Sequence, residues 1–460
     1  MAKVRSDAAV ALQPVYPLGP AGAPIELYSG EIAVGTADPL PGRVFVDLAG
    51  DLQIRWSVAE PAAPFDFGDV ELGLQLPDIG PTTVPAHVND RWGAGVVRDT
   101  EVGSRRALCD RVIVHFTNLP GVFPWGPGRW QVSGAGWELI LEGRPDHSRI
   151  FSELKNSMSS AVTHVGELRR VSGRRFSATN AGKALEAFQV ALSFALGRYV
   201  APVAPVGFDA AGRRVWEQWA LWRCDPVPGY LPWWSTGDGD DLQAFVRLFL
   251  EAWFNRKEHD VTWHLARHLI AAHHRGTTLE AKIMLVHAAL EYLSWVTYVL
   301  SGKRSKTQHG KKDSNGTAAA TWHLQELLQA ASISTKIPSD LVAMRNRARQ
   351  IRRAQLKKNP AQPQKPFPDG PEVLTWLRNR LVHPKDAGEP YRIANLVSDA
   401  WRLATESSEL LLLHAIKGSS CRERTRGASG CRVCPSRGHP DPPTLARRRT
   451  LVWPDLALLS

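Results

Sequence analysis

The hydrophobic period of this chain changes once, near residue 235, and that change divides the fold. Before it, short apolar runs such as 43–48 and 111–116 alternate in period two and are separated by Gly, Pro and Asp turns. After it, apolar residues recur at every third or fourth position through long segments. Period two is typical of strands, and a period of 3.6 is typical of amphipathic helices. The predicted fold class is therefore multidomain α+β, with a β-rich N-terminal domain followed by an all-α helical bundle.

Four segments follow from this division. Residues 1–25 are rich in Ala and Pro and are expected to be irregular. Residues 26–235 are expected to form a β-rich α+β domain with a sensor or regulatory role, inferred only from its pairing with the next domain. Residues 240–416 are predicted to form the helical domain. Residues 418–460 are rich in Arg, Pro and Cys and lack a hydrophobic period, which predicts a flexible tail.

Composition and missing motifs exclude several classes of function. The sequence has no apolar leader and no uninterrupted apolar run of about 18 residues, so we expect neither a secretory signal nor a membrane span. Five cysteines do not make a disulfide framework, which favours a cytoplasmic location. Gly-rich dinucleotide, Walker-type and Gly-x-Ser-x-Gly motifs are absent, so we expect no cofactor and no chemistry of those kinds.

The positive charge is concentrated in two segments. Residues 301–358 contain 13 Lys or Arg against 3 Asp or Glu, and residues 418–460 contain 8 against 3, in a chain whose net charge is +11. Local basicity favours a polyanionic partner such as RNA, although a solvated loop and tail remain an open alternative. Four arginines fall on one face of a predicted helix and are candidate RNA-backbone contacts, or an ordinary solvated face. They are Arg345, Arg349, Arg352 and Arg353.

The best candidate for chemistry is the run 378–384, Arg-Asn-Arg-Leu-Val-His-Pro. Metal-free RNA cleavage needs a base for the ribose 2′-OH, an acid for the leaving oxygen and a cation for the phosphorane. A histidine that titrates near neutral pH can serve as base or acid. Arginine offers phosphate a bidentate, always-charged group, and asparagine adds a neutral hydrogen-bonding group. Arg378, Asn379 and His383 are therefore the predicted catalytic residues.

A proline decides where this helix ends. Arg378 and His383 are about 140° apart around an ideal helix, so a straight helix would separate them. Pro384 disfavours the α region at His383, so we expect the helix to end there and the ring to turn back toward Arg378. A second Arg-x4-His pair, Arg304 and His309, lies in what is predicted to be a loose basic loop.

The run from Arg378 to Pro384 resembles the Arg-Asn-x-x-x-His signature of HEPN domains, which are small helical bundles, often dimeric, and in many cases metal-independent ribonucleases of bacterial defence or toxin systems. The resemblance covers residues 279–416: a long apolar helix with the internal acid Glu291, a basic loop, the motif helix and a final long helix. A β-rich region before a HEPN domain is similar in architecture to ApeA-type abortive-infection proteins.

The resemblance implies roles for these residues. Arg378 would stabilise the phosphate, His383 would act as acid or base, and Asn379 would assist. Glu291 would be a polar partner that orients the arginine. The motifs of two protomers would face each other in a homodimer, and the protein would be a metal-independent endoribonuclease of antiviral defence or of a toxin system. Two alternatives remain open: a non-catalytic HEPN-fold binding or dimerisation protein, and a motif that only satisfies the helix end.

One further set of residues resembles the ligands of a small zinc knuckle. A Cys-x2-Cys pair in an unstructured tail is a weak signal, so no metal site is expected. The residues are Cys421, Cys431, Cys434 and His439.

Overall fold

The computed structural model describes residues 11–122, 128–220, 222–228, 234, 239–313, 317–358, 367–384, 386 and 388–426, with side chains described through residue 416 except that of Lys358. A β-rich N-terminal part precedes a helical C-terminal part, which confirms the multidomain α+β class. The last helix continues to Arg426 and so includes the first nine residues of the predicted tail. Of the weak zinc candidates, Cys431, Cys434 and His439 lie outside the described residues, as does the side chain of Cys421.

Six short strands close into a barrel in the order β1-β2-β3-β6-β5-β4. Their side chains alternate between the interior and the solvent, as period two requires, and Val44, Leu72 and Val84 are fully buried. Trp56 fills the interior and donates its indole N–H to the carbonyl of His87 at 3.3 Å. The strands are β1 Ile25–Val34, β2 Leu40–Asp47, β3 Gln53–Val58, β4 Gly68–Leu76, β5 Gly80–Asp90 and β6 Ala94–Val97.

The remaining strands form an antiparallel seven-stranded sheet in the order β10-β11-β12-β9-β14-β15-β7, beside a two-stranded pair β13-β8. The central strand β9 is buried along almost its whole length, because both sheet faces are covered. The strands are β7 Thr100–Gly103, β8 Leu108–Cys109, β9 Arg111–Thr117, β10 Arg129–Gly134, β11 Trp137–Gly143, β12 Val162–Arg170, β13 Phe176–Ser177, β14 Pro202–Phe208 and β15 Arg214–Trp219.

One sheet face packs on the barrel and the other packs on helices. Val203 and Trp219 belong to the core that fills the barrel, whereas Val114 and Phe116 belong to the core that contains α2. Helix α1 is His147–Lys155 and α2 is Ala178–Leu196. Ser177 caps the start of α2 with its side chain, and Gly197 ends it at φ 64°.

The helical part shares its hydrophobic core with the sheet. A single cluster runs from the strands through α2 and α3 to the last helix, so the change of period near residue 235 does not separate two cores. The helices are α3 Gly239–Phe254, α4 His259–His273, α5 Leu279–Ser294, α6 Lys306–His309, α7 Ala319–Ala330, α8 Val342–Lys358, α9 Gly370–Val382 and α10 Leu396–Arg426. A π-helical turn, Trp295–Leu300, continues α5, and a 3-10 turn, Glu389–Tyr391, precedes α10.

The segment Leu279–Leu300 is long and apolar enough to cross a membrane by length and composition, with a mean hydropathy of 1.4. Only 39% of its most apolar stretch is buried within the protein. It packs against α4 and α10. The core helix of a soluble protein meets the same length and composition test, so this segment is only weak support for a membrane span.

Candidate active site

Local signals fix both ends of the motif helix α9. The Asp369 side chain accepts from the backbone N–H of Glu372 at 3.1 Å, and Pro371 occupies the first turn, where its missing N–H costs nothing. At the other end the helix stops at Val382. His383 has φ −124° and ψ 69°, outside the α region, as the following proline predicts.

Arg378 is held on the side of α9 that faces α5. Its Nη2 lies 3.2 Å from Oε1 of Glu291, and its Nη1 donates to Oδ1 of Asn379 at 3.2 Å. The Arg378 side chain is 26% exposed and that of Glu291 is 48% exposed. The guanidinium is therefore oriented by two neighbours and still reaches solvent. The contact between Glu291 and Arg378 is the one that the sequence resemblance implies.

His383 is exposed and lies one helical turn beyond Asn379, which is also exposed. The backbone N–H of His383 donates to the Asn379 carbonyl at 2.9 Å. This bond fixes the backbone of His383 relative to the helix. Arg378 contacts Asn379, and the side chains of Arg378, Asn379 and His383 all reach solvent near the end of α9. This end of α9 therefore presents a guanidinium, an amide and an imidazole to solvent.

The opposite side of α9 carries a stacked arrangement that the sequence did not predict. The guanidinium of Arg347, on α8, lies 3.3 Å from the centre of the Trp376 ring. Glu389 accepts from Arg347 at 2.9 Å and from Arg380 at 2.9 Å, one carboxylate oxygen for each. This contact joins α8, α9 and the 3-10 turn, so Arg380, inside the motif, has a structural partner. The spacing of Trp376 and Arg380, one turn apart, is the only local signal for it.

The predicted basic face of α8 is largely available to solvent. Arg345, Arg349 and Arg353 are exposed, whereas Arg352 is half-buried. Arg349 donates to Oδ1 of Asn346 at 2.8 Å. Three of the four candidates are thus placed where a polyanion can reach them.

The second Arg-x4-His pair is packed, in contrast to the loose loop that we predicted. Arg304 pairs with Glu326 at 2.5 Å and lies over the ring of Trp322 at 4.0 Å. His309 ends the short helix α6 and stacks on His323 of α7, with ring centres 3.7 Å apart and planes 9° from parallel. Stacking and ion pairing order this segment although its composition is that of a loop.

No group of three or more His, Cys, Asp or Glu side chains is placed to hold a metal ion within the described part of the chain. The two described cysteines, Cys109 and Cys224, are not in a disulfide, and burial raises the pKa of both thiols. A buried thiol with a raised pKa is a poor nucleophile and metal ligand.

Fold and site together define a class: an α+β protein in which a barrel and an antiparallel sheet precede a helical part, with Arg378, Asn379 and His383 near the end of one helix. Comparison with family models finds two matches. The YopA central domain matches residues 107–230, which contain the seven-stranded sheet apart from β7. The YopA C-terminal domain matches residues 255–419, which contain Glu291 and the whole motif helix.

Among curated proteins, the chain is similar to the SPbeta prophage-derived uncharacterized protein YopA of Bacillus subtilis (strain 168). The two are 26% identical over 302 residues, which cover 63% of this chain and 63% of the relative. No solved structure matches the chain.

Proposed function

We propose that this chain is a metal-independent endoribonuclease of the HEPN type, acting on RNA in the cytoplasm as a homodimer joined through its helical part. The observation that carries the proposal is the orientation and exposure of the Arg378 guanidinium. Its guanidinium is oriented by Glu291 and Asn379, remains partly exposed, and lies on the same helix end as the exposed ring of His383.

The proposed reaction needs only side-chain chemistry. A neutral imidazole removes the proton of the ribose 2′-OH, and the 2′-oxygen attacks the adjacent phosphorus. The bond from phosphorus to the 5′-oxygen breaks, and an imidazolium donates its proton to that oxygen. The products are a 2′,3′-cyclic phosphate and a 5′-hydroxyl. Arg378 binds the phosphate oxygens as their charge increases.

One protomer brings one motif imidazole, whereas the reaction uses a base and an acid. The second is proposed to be His383 of the partner subunit. Helix α5 supports such a dimer because Ala281 and Ala288 are exposed on it and Leu300, at the end of its π-helical extension, is 67% exposed. Small residues on an exposed helix face permit close approach of a second helix, and an apolar face gains free energy by burial.

A biological setting follows from the relative. That protein is named as prophage-derived, which agrees with a role for this chain in conflict between phage and host, as an anti-phage or toxin-like effector. The β-rich part is proposed to regulate the helical part, because the sheet and the helices share one hydrophobic core and a change at the sheet can reach α9 through packed side chains.

The second candidate function is a non-catalytic binding or dimerisation protein of the same fold. The observation that favours it is that Arg378 already has two partners in its own chain. In that case the guanidinium would be a structural contact between α5 and α9, and an anion would not displace it.

RNA cleavage in EDTA discriminates the two candidates. We expect the wild type to cleave a 5′-labelled RNA and to leave 2′,3′-cyclic phosphate ends. Arg378→Ala and His383→Ala are each expected to lower the cleavage rate by about 100-fold or more, the usual contribution of an acid–base group. Arg256→Ala and His414→Ala are matched controls, because both side chains are exposed and lie outside the motif.

Cleavage at the wild-type rate by both motif variants would refute the catalytic assignment. Wild-type activity that disappears in EDTA would point to a metal-dependent reaction instead. A wild type that dimerises and binds RNA without cutting it would establish the second candidate.

A further inference from the structure

Three histidines that the motif does not include line one small cavity, whose wall also contains Glu291, the ion-pair partner of Arg378. The cavity lies between α5, α6 and α7 and has a volume of about 40 Å³. That volume has room for about three water molecules. Its wall includes the polar residues His287, Glu291, Ser294, His309 and His323. Glu291 therefore borders the cavity and also binds Arg378.

Several polar atoms of this wall are buried without a protein partner among the described residues. They are Nε2 of His287, Oγ of Ser294, Nδ1 of His309 and Nε2 of His323. Leaving one such group unpaired costs about 1–3 kcal/mol, and a cavity that is polar and large enough for water is expected to be hydrated. The wall is therefore suited to an ordered water cluster.

His287 is the member closest in structure to the motif helix. It lies one turn before Glu291 on α5, and the residue is 4% exposed. A backbone hydrogen bond to Leu374, one turn before Arg378 on α9, holds the ring. Nε2 has no partner within the described part of the chain, so we assign this bond to Nδ1–H, which leaves a lone pair on Nε2.

The surroundings of this ring favour its neutral form. Burial and, to a lesser extent, the nearby Arg378 guanidinium lower the pKa of His287 to about 4. The other titratable groups of the wall are Glu291, His309 and His323, and burial lowers the pKa of the latter two as well. At neutral pH His287 is therefore a neutral hydrogen-bond acceptor beside a permanent cation.

Arg378 has the hydrogen-bond donor that complements the Nε2 acceptor of His287. Its Nη2 binds Glu291 and its Nη1 binds Asn379, but its buried Nε–H has no partner among the described side chains and backbone groups. We propose that His287 is a positioning residue for Arg378, accepting a hydrogen bond from a buried water molecule that in turn accepts from the Arg378 Nε–H. This inference rests on the ribonuclease proposed above, and it assigns a third anchor to the guanidinium besides Glu291 and Asn379.

Two substitutions distinguish the roles of the two ring nitrogens of His287. His287→Gln keeps an acceptor near the position of Nε2, and His287→Asn keeps a donor near Nδ1 but loses the far acceptor. Under single turnover in EDTA, we expect His287→Asn to lower the cleavage rate about 10-fold with unchanged RNA affinity. His287→Gln should remain within about threefold of the wild type. Equal rates for both variants and the wild type would overturn the assignment.

A second measurement does not depend on activity and remains informative if either variant fails to fold. The pKa of His287 is read from the histidine ring signals in NMR spectra of the full chain. Arg378→Met should raise it by about one unit or more, the usual effect of one nearby charge. Arg380→Met is the matched control, because Arg380 pairs with Glu389 on the other side of α9.

The outcomes of the two measurements are distinguishable. A wild type that does not cleave RNA would refute the proposed function, while the shift of the His287 pKa would still support the contact with Arg378. Active wild type with equal pKa values in both arginine variants would refute the positioning role alone.

Discussion

Replacement of Glu291 by glutamine removes the charge that faces Arg378 and keeps the shape of the side chain. The two groups are 3.2 Å apart, at side-chain exposures of 26% for the arginine and 48% for the glutamate. We expect this variant to fold with nearly wild-type stability and to cleave RNA about fivefold more slowly.

The expected sizes of the stability and rate effects follow from the distance between Glu291 and Arg378 and from their exposure to solvent. At 3.2 Å two unit charges attract by about 1.3 kcal/mol in water and by about 5 kcal/mol at an effective dielectric constant of 20. Because both side chains reach solvent, screening and the ordering of two long side chains leave a net contribution of about 1 kcal/mol or less. The same free energy, applied to the orientation of Arg378 in the transition state, is about a fivefold change in rate.

Denaturant unfolding and RNA cleavage in EDTA measure the two effects. Glu280→Gln is the matched control, because Glu280 is on the same helix and accepts from Tyr391 at 2.8 Å, away from the motif. A loss of stability above about 3 kcal/mol for Glu291→Gln would mean that the pair behaves as a buried one. Cleavage at the wild-type rate would mean that Glu291 does not orient Arg378.

Three other perturbations test the fold and the RNA surface. Burial lowers the pKa of His115 to about 4 and that of His164 to about 3, so the unfolded chain takes up protons near its ordinary pKa of about 6.5 and the folded chain does not. Stability should then be fully present above about pH 6.5 and fall by about 1.4 kcal/mol per pH unit for each histidine down to about pH 4; a flat profile in denaturant unfolding would contradict this. A Cβ on Gly95 would lie 1.9 Å from the His87 carbonyl oxygen, so Gly95→Ala should destabilise the barrel by about 3 kcal/mol in the same unfolding assay. Gly182 lies in helix α2, and a Cβ there would have no atom within 4 Å, so Gly182→Ala should stabilise the protein by about 0.5–1 kcal/mol. Glutamine at the exposed arginines of α8 should lower the salt dependence of RNA binding by about one unit of slope for each phosphate that is no longer neutralised, and an unchanged slope in binding titrations would exclude this face. Those arginines are Arg345, Arg349 and Arg353.

Features that depend on neighbouring residues could be predicted from the amino-acid sequence alone. The change from period two to a helical period predicted the α+β class, because side-chain alternation follows directly from backbone geometry. Asp369 and Pro371 mark the start of α9, and Pro384 marks its end, because caps and proline act on backbone groups within one turn. The position of His383 outside the α region followed from the same local rule.

Contacts between segments far apart in the chain became visible only in the folded protein. Composition predicted a loose loop at Arg304 and His309, yet Glu326 and His323, on α7, order it through an ion pair and a ring stack. His287 gave no signal beyond its spacing from Glu291, because its tautomer and charge depend on a backbone group of α9 and on burial. The shared core across residue 235 has the same physical reason: periodicity shows that a face is apolar, and packing decides which other face covers it.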